Sequence, residues 1–392
     1  MPNQPQITGR HILHICSDFP NQHVYPNLVA SIAATGQRQF VFSAVRSDAE
    51  AQRQPPNGDS QIDYSFQNII RKRHRFLFRN KIDTARKALL KVTEPRKFDL
   101  VHAHFLYSDG ALALQLKKQF GVPFITAVRN TDLNSFMRLR PDLWPIAKQV
   151  LTEASAVIFL SPAYQSATLA RIGNAFASSV GSKSFVIPSG LPASWLDNPP
   201  PNPQATKGDI RVLYVGDFSR NKNIASIVRA VELLRSRTQA ELTIVGGGGD
   251  GEQAIEAMLA LPQYSFVTRL QPVRDAGRLR EIYQQHTVFA MPSFRETFGI
   301  VYLEALSQGL PIIHSRGQGI DGLFAPNSVS EGVDPHSDTS LADAITCLAG
   351  RDPSIRKLCV SEANRFSWDS VAHMYARLYG SVSTGNTLET SC

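Results

Sequence analysis

The chain has 392 residues, 43% of them hydrophobic, enough for two ordinary cores, and its formal net charge is +8. No run of about 18 apolar residues is present, which excludes a membrane-spanning helix, and the first residues lack the basic-then-apolar pattern of a secretory signal. Cys16, Cys347, Cys359 and Cys392 show neither metal-ligand spacing nor disulfide density. A reducing, cytoplasmic setting is expected, with the first three packed as small hydrophobes.

Short β-rich runs alternate with helical patterns from the start. Strands are expected at His11–Cys16, Gln39–Ala44, Leu100–His104, Phe124–Ala127, Ala156–Leu160 and Ser184–Ile187, with a helix over Gly110–Gln119. That alternation predicts an α/β fold with a parallel, doubly wound sheet, which binds ligands beyond the carboxyl ends of its strands. The loops to watch are therefore Ser17–Phe19, Phe105–Asp109, Arg129–Asp132 and Ser161–Pro162. His102 and His104 read as packed residues rather than catalytic ones, and Asp109 and Asp132 are also eligible as helix caps.

Positive charge is uneven: residues 1–200 hold 23 Lys/Arg against 13 Asp/Glu, about +10, and residues 201–392 hold 18 against 20, about −2. The excess concentrates in Ile69–Lys91 (IIRKRHRFLFRNKIDTARKALLK), where Phe76, Leu77 and Phe78 interrupt the cations. Arg71–Lys91 is either a solvated helix face or a basic amphipathic surface that rests on anionic lipid with the Phe-Leu-Phe group dipping in. No stacking platform or nucleic-acid motif accompanies it, so no nucleic-acid partner is expected.

Leu196–Asp209 (LDNPPPNPQATKGD) is Pro-rich and polar and reads as a linker. It divides the chain into a domain over 1–196 and a second over 210–365, with residues 197–209 between them. A second strand–helix series follows: Arg211–Val215, a helix from Ile224 to about Arg235, Glu241–Val245 ending in glycines, Phe266–Leu270 and Leu279–Gln285. The glycines from Gly246 to Gly251 permit close backbone approach to a nucleotide, or simply form a turn.

The densest chemistry lies in FAMPSFRETFGIVYLEALSQGLPIIHSRGQGIDGLF, Phe289 to Phe324. A strand stops at Pro292 and Ser293, a loop carries Glu296, and Gly299 opens a helix that Gly309 ends. A helix beginning directly after a strand turns free N–H groups toward the carboxyl edge of the sheet, which favours a phosphate. Glu304 lies more than a turn deeper than Glu296. One carboxylate can hold sugar hydroxyls at the mouth while the other holds a second diol further in. The glycines of Ser315–Phe324 suit a loop over the same ligand, and a final amphipathic helix is expected over about 366–382 ahead of a tail at 383–392.

PSFRETFGIVYLEALSQGLPII resembles the donor-site signature of family 4 glycosyltransferases. VHAHFLYSDGALALQLKKQFGVPFITAVRNTD, FVIPSGLPASWL and LYVGDFSRNKNIASIVRAVELL are similar to further segments of that family. The resemblance implies the GT-B fold, two Rossmann-like doubly wound domains facing each other across a cleft, with the last helix crossing back onto the first. It also implies a metal-independent, retaining transfer of a hexose from a UDP- or GDP-linked donor to a glycan or lipid-linked acceptor, with no cofactor. The setting would be cell-surface polysaccharide or glycolipid synthesis on the cytosolic face of the plasma membrane. By resemblance Glu296 contacts the sugar and Glu304 the ribose hydroxyls. Thr297, Phe298 and Gly299 line the diphosphate, Lys222 neutralises it, and Gly216, Gly246 and Gly248 shape the nucleotide loops. The family often has an arginine where this chain has Asp217, so Arg220 is expected to take that role, with Asp217 facing away or pairing with it. Arg129 stands where many members carry histidine near the reacting centre; Asp18, Phe19 and Asp132 are acceptor-side candidates. A GT-B scaffold without turnover and a GT-B nucleotide-sugar epimerase are the alternatives.

Overall fold

The computed structural model describes residues 9–55, 61–200 and 209–384. Thirteen strands occur among these residues: β1 (His11–Ile15), β2 (Arg38–Val45), β3 (Ile62–Asn68), β4 (Leu100–Ala103), β5 (Phe124–Ala127), β6 (Ala156–Phe159), β7 (Ser184–Val186), β8 (Ile210–Gly216), β9 (Ala240–Gly246), β10 (Val267–Leu270), β11 (Val288–Met291), β12 (Ile312–Ser315) and β13 (Ser330–Val333). They form two parallel sheets, ordered β3-β2-β1-β4-β5-β6-β7 and β10-β9-β8-β11-β12-β13. Each is doubly wound, and the order reverses between β1 and β4 in the first and between β8 and β11 in the second. Those reversals are where ligands bind in open α/β sheets.

The two sheets anchor two compact units. One takes the chain up to Leu160, Gln165–Gly190 and the stretch from Trp368 onward; the other takes Ser161–Tyr164 and Leu191–Ser367. The longer stretch of the second unit begins at Leu191, ahead of the expected linker at 197–209, of which residues 201–208 lie outside the described residues, as does most of the tail from 385. β4, β5, β6, β11 and β12 are buried along their whole length, which is why they read as continuous apolar runs. The helix Trp368–Thr384 packs Trp368, Val371, Ala372, Tyr375, Leu378 and Tyr379 against Ile12, Leu100, Ile125 and Ile158 of the first sheet, together with Leu28 and Ile32 of the helix Val24–Ala34.

Four expectations are corrected. Strand β3 was absent from the expected order, although Ile62, Tyr64 and Phe66 alternate with Asp63, Ser65 and Gln67, the pattern of a half-exposed edge strand. β13 (SEGV) was missed because four residues with a glycine carry no period. The basic segment is not one helix: a 3₁₀ turn over Lys72–Arg75 precedes the helix Phe78–Val92, and Phe78 is buried in the first unit while Phe76 and Leu77 are exposed. Cys347 is exposed, whereas Cys16 and Cys359 are buried.

Candidate active site

The carboxyl ends of β8 and β11 each launch a loop, and the two loops are laced together. Asn221 donates its side-chain amide to the Arg295 carbonyl at 2.7 Å and accepts from Arg295 N–H at 3.1 Å, while its own carbonyl accepts from Phe294 N–H. Asn223, in the left-handed region at φ 56°, donates to the carbonyls of Pro292 and Pro335. Lys222 sits between these two clasps, and its ammonium meets the Glu296 carboxylate at 2.7 Å, with the two side chains only 17% and 13% exposed. The other Glu296 oxygen accepts from Thr297 N–H at 3.0 Å. Sequence reasoning passed over both asparagines. The signal for Asn223 was its residue type after the lysine, since Asn is the residue type besides Gly that most readily takes a left-handed turn; Asn221 carried no such signal.

Gly299 caps the helix Ile300–Ser307 at φ 83°, where a Cβ would strike the Tyr302 ring at 2.4 Å. The glycine is therefore required by internal packing as well as by any ligand. Tyr302 in turn donates to the Met291 carbonyl at 2.6 Å, tying the helix start to the end of β11. Phe298 is buried, so of the expected diphosphate-lining residues it can contribute only backbone. Glu304 is half-buried and accepts from the Tyr283 hydroxyl at 3.1 Å. Burial raises its carboxyl to about 7, and the Tyr283 hydrogen bond opposes that rise only in part.

The glycine run after β9 packs against the loop after β8. Phe218 N–H donates to the Gly248 carbonyl and Gly251 N–H to the Phe218 carbonyl, and a Cβ on Gly246 would lie 1.7 Å from the Gly216 carbonyl oxygen. Gly246 therefore fits the two loops to each other and Gly216 leaves room for the Tyr214 hydroxyl, whereas Gly248 has open space where a Cβ would be. Asp217 accepts from Ser219 N–H at 2.8 Å and makes no ion pair with Arg220 among the described residues. Both are exposed, and the Arg220 backbone N–H is held by Asp250.

In the first unit the acceptor-side candidates separate. Phe19 is a core residue, stacked on Tyr25 and met edge-on by Tyr64 and Phe66. Asp132 is 1% exposed and accepts from the N–H groups of Leu106, Tyr107 and Arg129. It is a clasp between the loops after β4 and β5, not a free acceptor-binding carboxylate. Burial pushes it up to about 6 and those three donors pull it back. Asp18 is half-buried and accepts from the Asn21 amide. Arg129 is buried, its Nε directed at the His104 carbonyl and its guanidinium bonded to Tyr375. Beside it His14, His102 and His104 are wholly buried on one sheet face, with His14 bonded to His104 and His102 to Tyr379. The His102 and His104 rings are stacked at 4.0 Å and 21°, and one ring nitrogen from each of the three histidines lies within 4.8 Å of the others. Burial holds all three neutral, well below the usual imidazole range.

Missed by sequence reasoning was Lys81, which reaches from the helix Phe78–Val92 to the Ser108 hydroxyl at 2.6 Å. With Ser17, Ser108 and Asp109 it lines a cavity of about 20 Å³ at the carboxyl ends of β1 and β4. Asp109 is raised to about 7 by burial, against the Ser17 hydrogen bonds and the Lys81 charge.

Two parallel, doubly wound sheets, the second with a paired lysine and carboxylate at its switch point and a glutamate eight residues on, define a glycosyltransferase of the GT-B fold. Solved structures agree on the fold. Sucrose-phosphate synthase from Thermosynechococcus elongatus superimposes with a TM-score of 0.70 at 22% identity, covering 96% of this chain and 100% of that one. Anabaena HepE in complex with UDP gives 0.69 at 16%, covering 95% and 100%. The family models "Glycosyltransferase Family 4" and "Glycosyl transferases group 1" match residues 22–194 and 199–361. The chain belongs to the family 4 glycosyltransferases. Among similar proteins, the D-inositol 3-phosphate glycosyltransferase of Corynebacterium jeikeium (strain K411) is 26% identical over 314 residues, 72% of each chain.

Proposed function

We propose that this glycosyltransferase is a retaining hexosyltransferase that uses a UDP- or GDP-linked donor. The observation that carries the reading is the Lys222–Glu296 pair, held at the switch point between the two asparagine clasps with Glu304 below it. The bond from the sugar's anomeric carbon to the diphosphate oxygen breaks, and the acceptor oxygen bonds to that carbon on the same face. The acceptor proton passes to the leaving phosphate. Negative charge grows on the diphosphate as it departs, and Lys222, Arg220 and the helix start at Gly299 supply the opposing charge. Glu296 holds the sugar hydroxyls and Glu304 the ribose diol. With side chains supplying the cations, the reaction is expected to survive EDTA. The acceptor side is assigned to the carboxyl edge of the first sheet, where Arg129 adds positive potential and Asp18 is half-buried in the loop after β1.

The acceptor is proposed to be a glycan or lipid-linked glycan met at an anionic membrane. No helix among the described residues is long and apolar enough to cross a membrane. A surface knob supports peripheral attachment: Phe76 is 80% exposed, Leu77 53% and Leu139 69%. Arg140 donates to the Arg75 carbonyl, bringing the Leu139 segment to the Arg75–Leu77 turn. Exposed Arg71, Lys72, Arg73, Arg75, Arg79 and Arg138 surround it in sequence, the composition of a surface that rests on anionic headgroups.

A thermal-shift screen over UDP, GDP, ADP and their hexose conjugates tests the donor class, because a ligand raises apparent stability by mass action. Anomeric coupling in the product's proton spectrum tests retention. No shift with any nucleotide, or an inverted product, refutes the corresponding half.

A further inference from the structure

The loop Ser315–Phe324 does more than follow β12. Both backbone groups of Glu296 are spoken for by this loop and one tyrosine. The Glu296 carbonyl accepts from Gly319 N–H at 3.0 Å and from the Tyr164 hydroxyl at 2.7 Å. Its N–H donates to the Gln318 side chain at 3.3 Å. The loop is itself closed, Asp321 accepting from Gly317 N–H at 2.6 Å and Asp321 N–H donating to the Gln318 carbonyl. It is further held by Ala163 N–H on the Asp321 carbonyl.

That network fixes which way Gln318 is turned. A backbone N–H can only donate, so the amide atom facing Glu296 must be the oxygen. The amide nitrogen, with two hydrogens to give, is directed elsewhere, and among the described residues it meets no acceptor. Gln318 is half-buried, so this donor is held in place without being sealed in. The carboxylate of the same Glu296 offers only acceptors, one oxygen on Lys222 and one on Thr297 N–H. A fixed donor beside a fixed acceptor matches a hydroxyl-bearing ring, whose hydroxyls both give and accept. A site that bonds a particular hydroxyl discriminates strongly against a substrate lacking it, because its own polar group is then left unpaired.

We propose that Gln318 is a specificity-determining residue that donates its amide N–H to one hydroxyl of the transferred hexose, while its oxygen and Tyr164 position Glu296. The inference rests on the donor-site reading of Glu296. Gln318→Glu keeps an oxygen on the Glu296 N–H but replaces the free donor with an acceptor. Gln318→Met, of similar length and uncharged, controls for the added charge. Tyr164→Phe loosens Glu296 without touching Gln318.

The test is a double-mutant cycle between these variants and a set of donors deoxygenated singly at C2, C3, C4 and C6 of the hexose, read as kcat/KM, with the Kd of UDP or GDP measured alongside. In the wild type, removing one of these hydroxyls is expected to cost at least tenfold. In Gln318→Glu and Gln318→Met the same removal should cost less than twofold, with nucleoside diphosphate affinity within twofold of wild type. Tyr164→Phe should lower kcat for every donor alike and keep the wild-type pattern. If every deoxygenation costs the same in Gln318→Glu as in wild type, Gln318 is an anchor only and the inference is overturned. If wild type binds neither UDP nor GDP, the donor-site reading fails first, and the measured Kd separates that failure from the other.

Discussion

Replacing Glu304 with glutamine should make the protein more stable and the enzyme worse. Burial raises this carboxyl from its ordinary 4.5 to about 7, so the unfolded chain releases the proton at lower pH than the folded protein does. The folded state therefore binds more protons between those values, and stability falls as pH rises from 4.5 to 7. At about 1.4 kcal/mol per unit, the charged form costs roughly 3 kcal/mol above pH 7, an upper figure for a half-buried group. Glutamine can still accept from Tyr283 and carries no charge to desolvate. Apo Glu304→Gln should accordingly melt higher than wild type at pH 8, by several degrees, and at nearly the same temperature at pH 4.5. Nucleotide binding should move the other way. A ribose diol donates best to the ionised carboxylate, and a group titrating near 7 is ionised in about a tenth of molecules at pH 6. Wild-type affinity for the nucleotide sugar that the thermal-shift screen selects should thus weaken about tenfold from pH 8 to pH 6. In Glu304→Gln it should be flat, and already about tenfold weaker at pH 8, the loss of one charge-assisted hydrogen bond. Calorimetric titrations of both proteins across that range cancel any titration of the ligand itself. Parallel pH profiles in the two proteins, or a lower melting temperature for the variant at pH 8, would refute the reasoning.

Lys222→Ala is expected to cut turnover by roughly 10²-fold or more, and Glu296→Gln to lower kcat more than donor affinity, both measured by steady-state kinetics with EDTA present. Arg220→Ala should match Lys222→Ala if it supplies the missing cation; since the Asp217 side chain holds only Ser219 N–H among the described residues, Asp217→Ala should stay within a few-fold of wild type, and a silent Arg220→Ala leaves Lys222 to act with the helix start alone. Gly246→Ala drives a Cβ to 1.7 Å from the Gly216 carbonyl and should lower the melting temperature by well over what Gly248→Ala costs, where φ is strained but the space is open. Sedimentation with anionic vesicles should fall with salt and drop when Phe76, Leu77 and Leu139 become Ser, while Phe78→Ser should instead unfold the helix's packing; equal pelleting with neutral vesicles removes the membrane surface.

The sequence determined the architecture because parallel strands buried on both faces must be unbroken apolar runs. β4, β5, β6, β11 and β12 are legible for that reason, and the spacing of Glu296, Gly299 and Glu304 between a strand stop and Gly309 is a local pattern as well. Side-chain bookings across sequence distance were not legible. Whether Asp132 faces a ligand or three N–H groups depends on loops about 25 residues apart. Phe19 and Phe78 look like any aromatic near polar residues until the core they fill is known, and Leu139 joins Phe76 only through Arg140 and the Arg75 carbonyl, 65 residues away. Asn221 and Asn223 earn their importance from Arg295, Pro292 and Pro335, about 70 to 112 residues further on. A hydrogen bond needs its partner within about 3 Å, and periodicity carries no information about which distant residue the fold will bring that close.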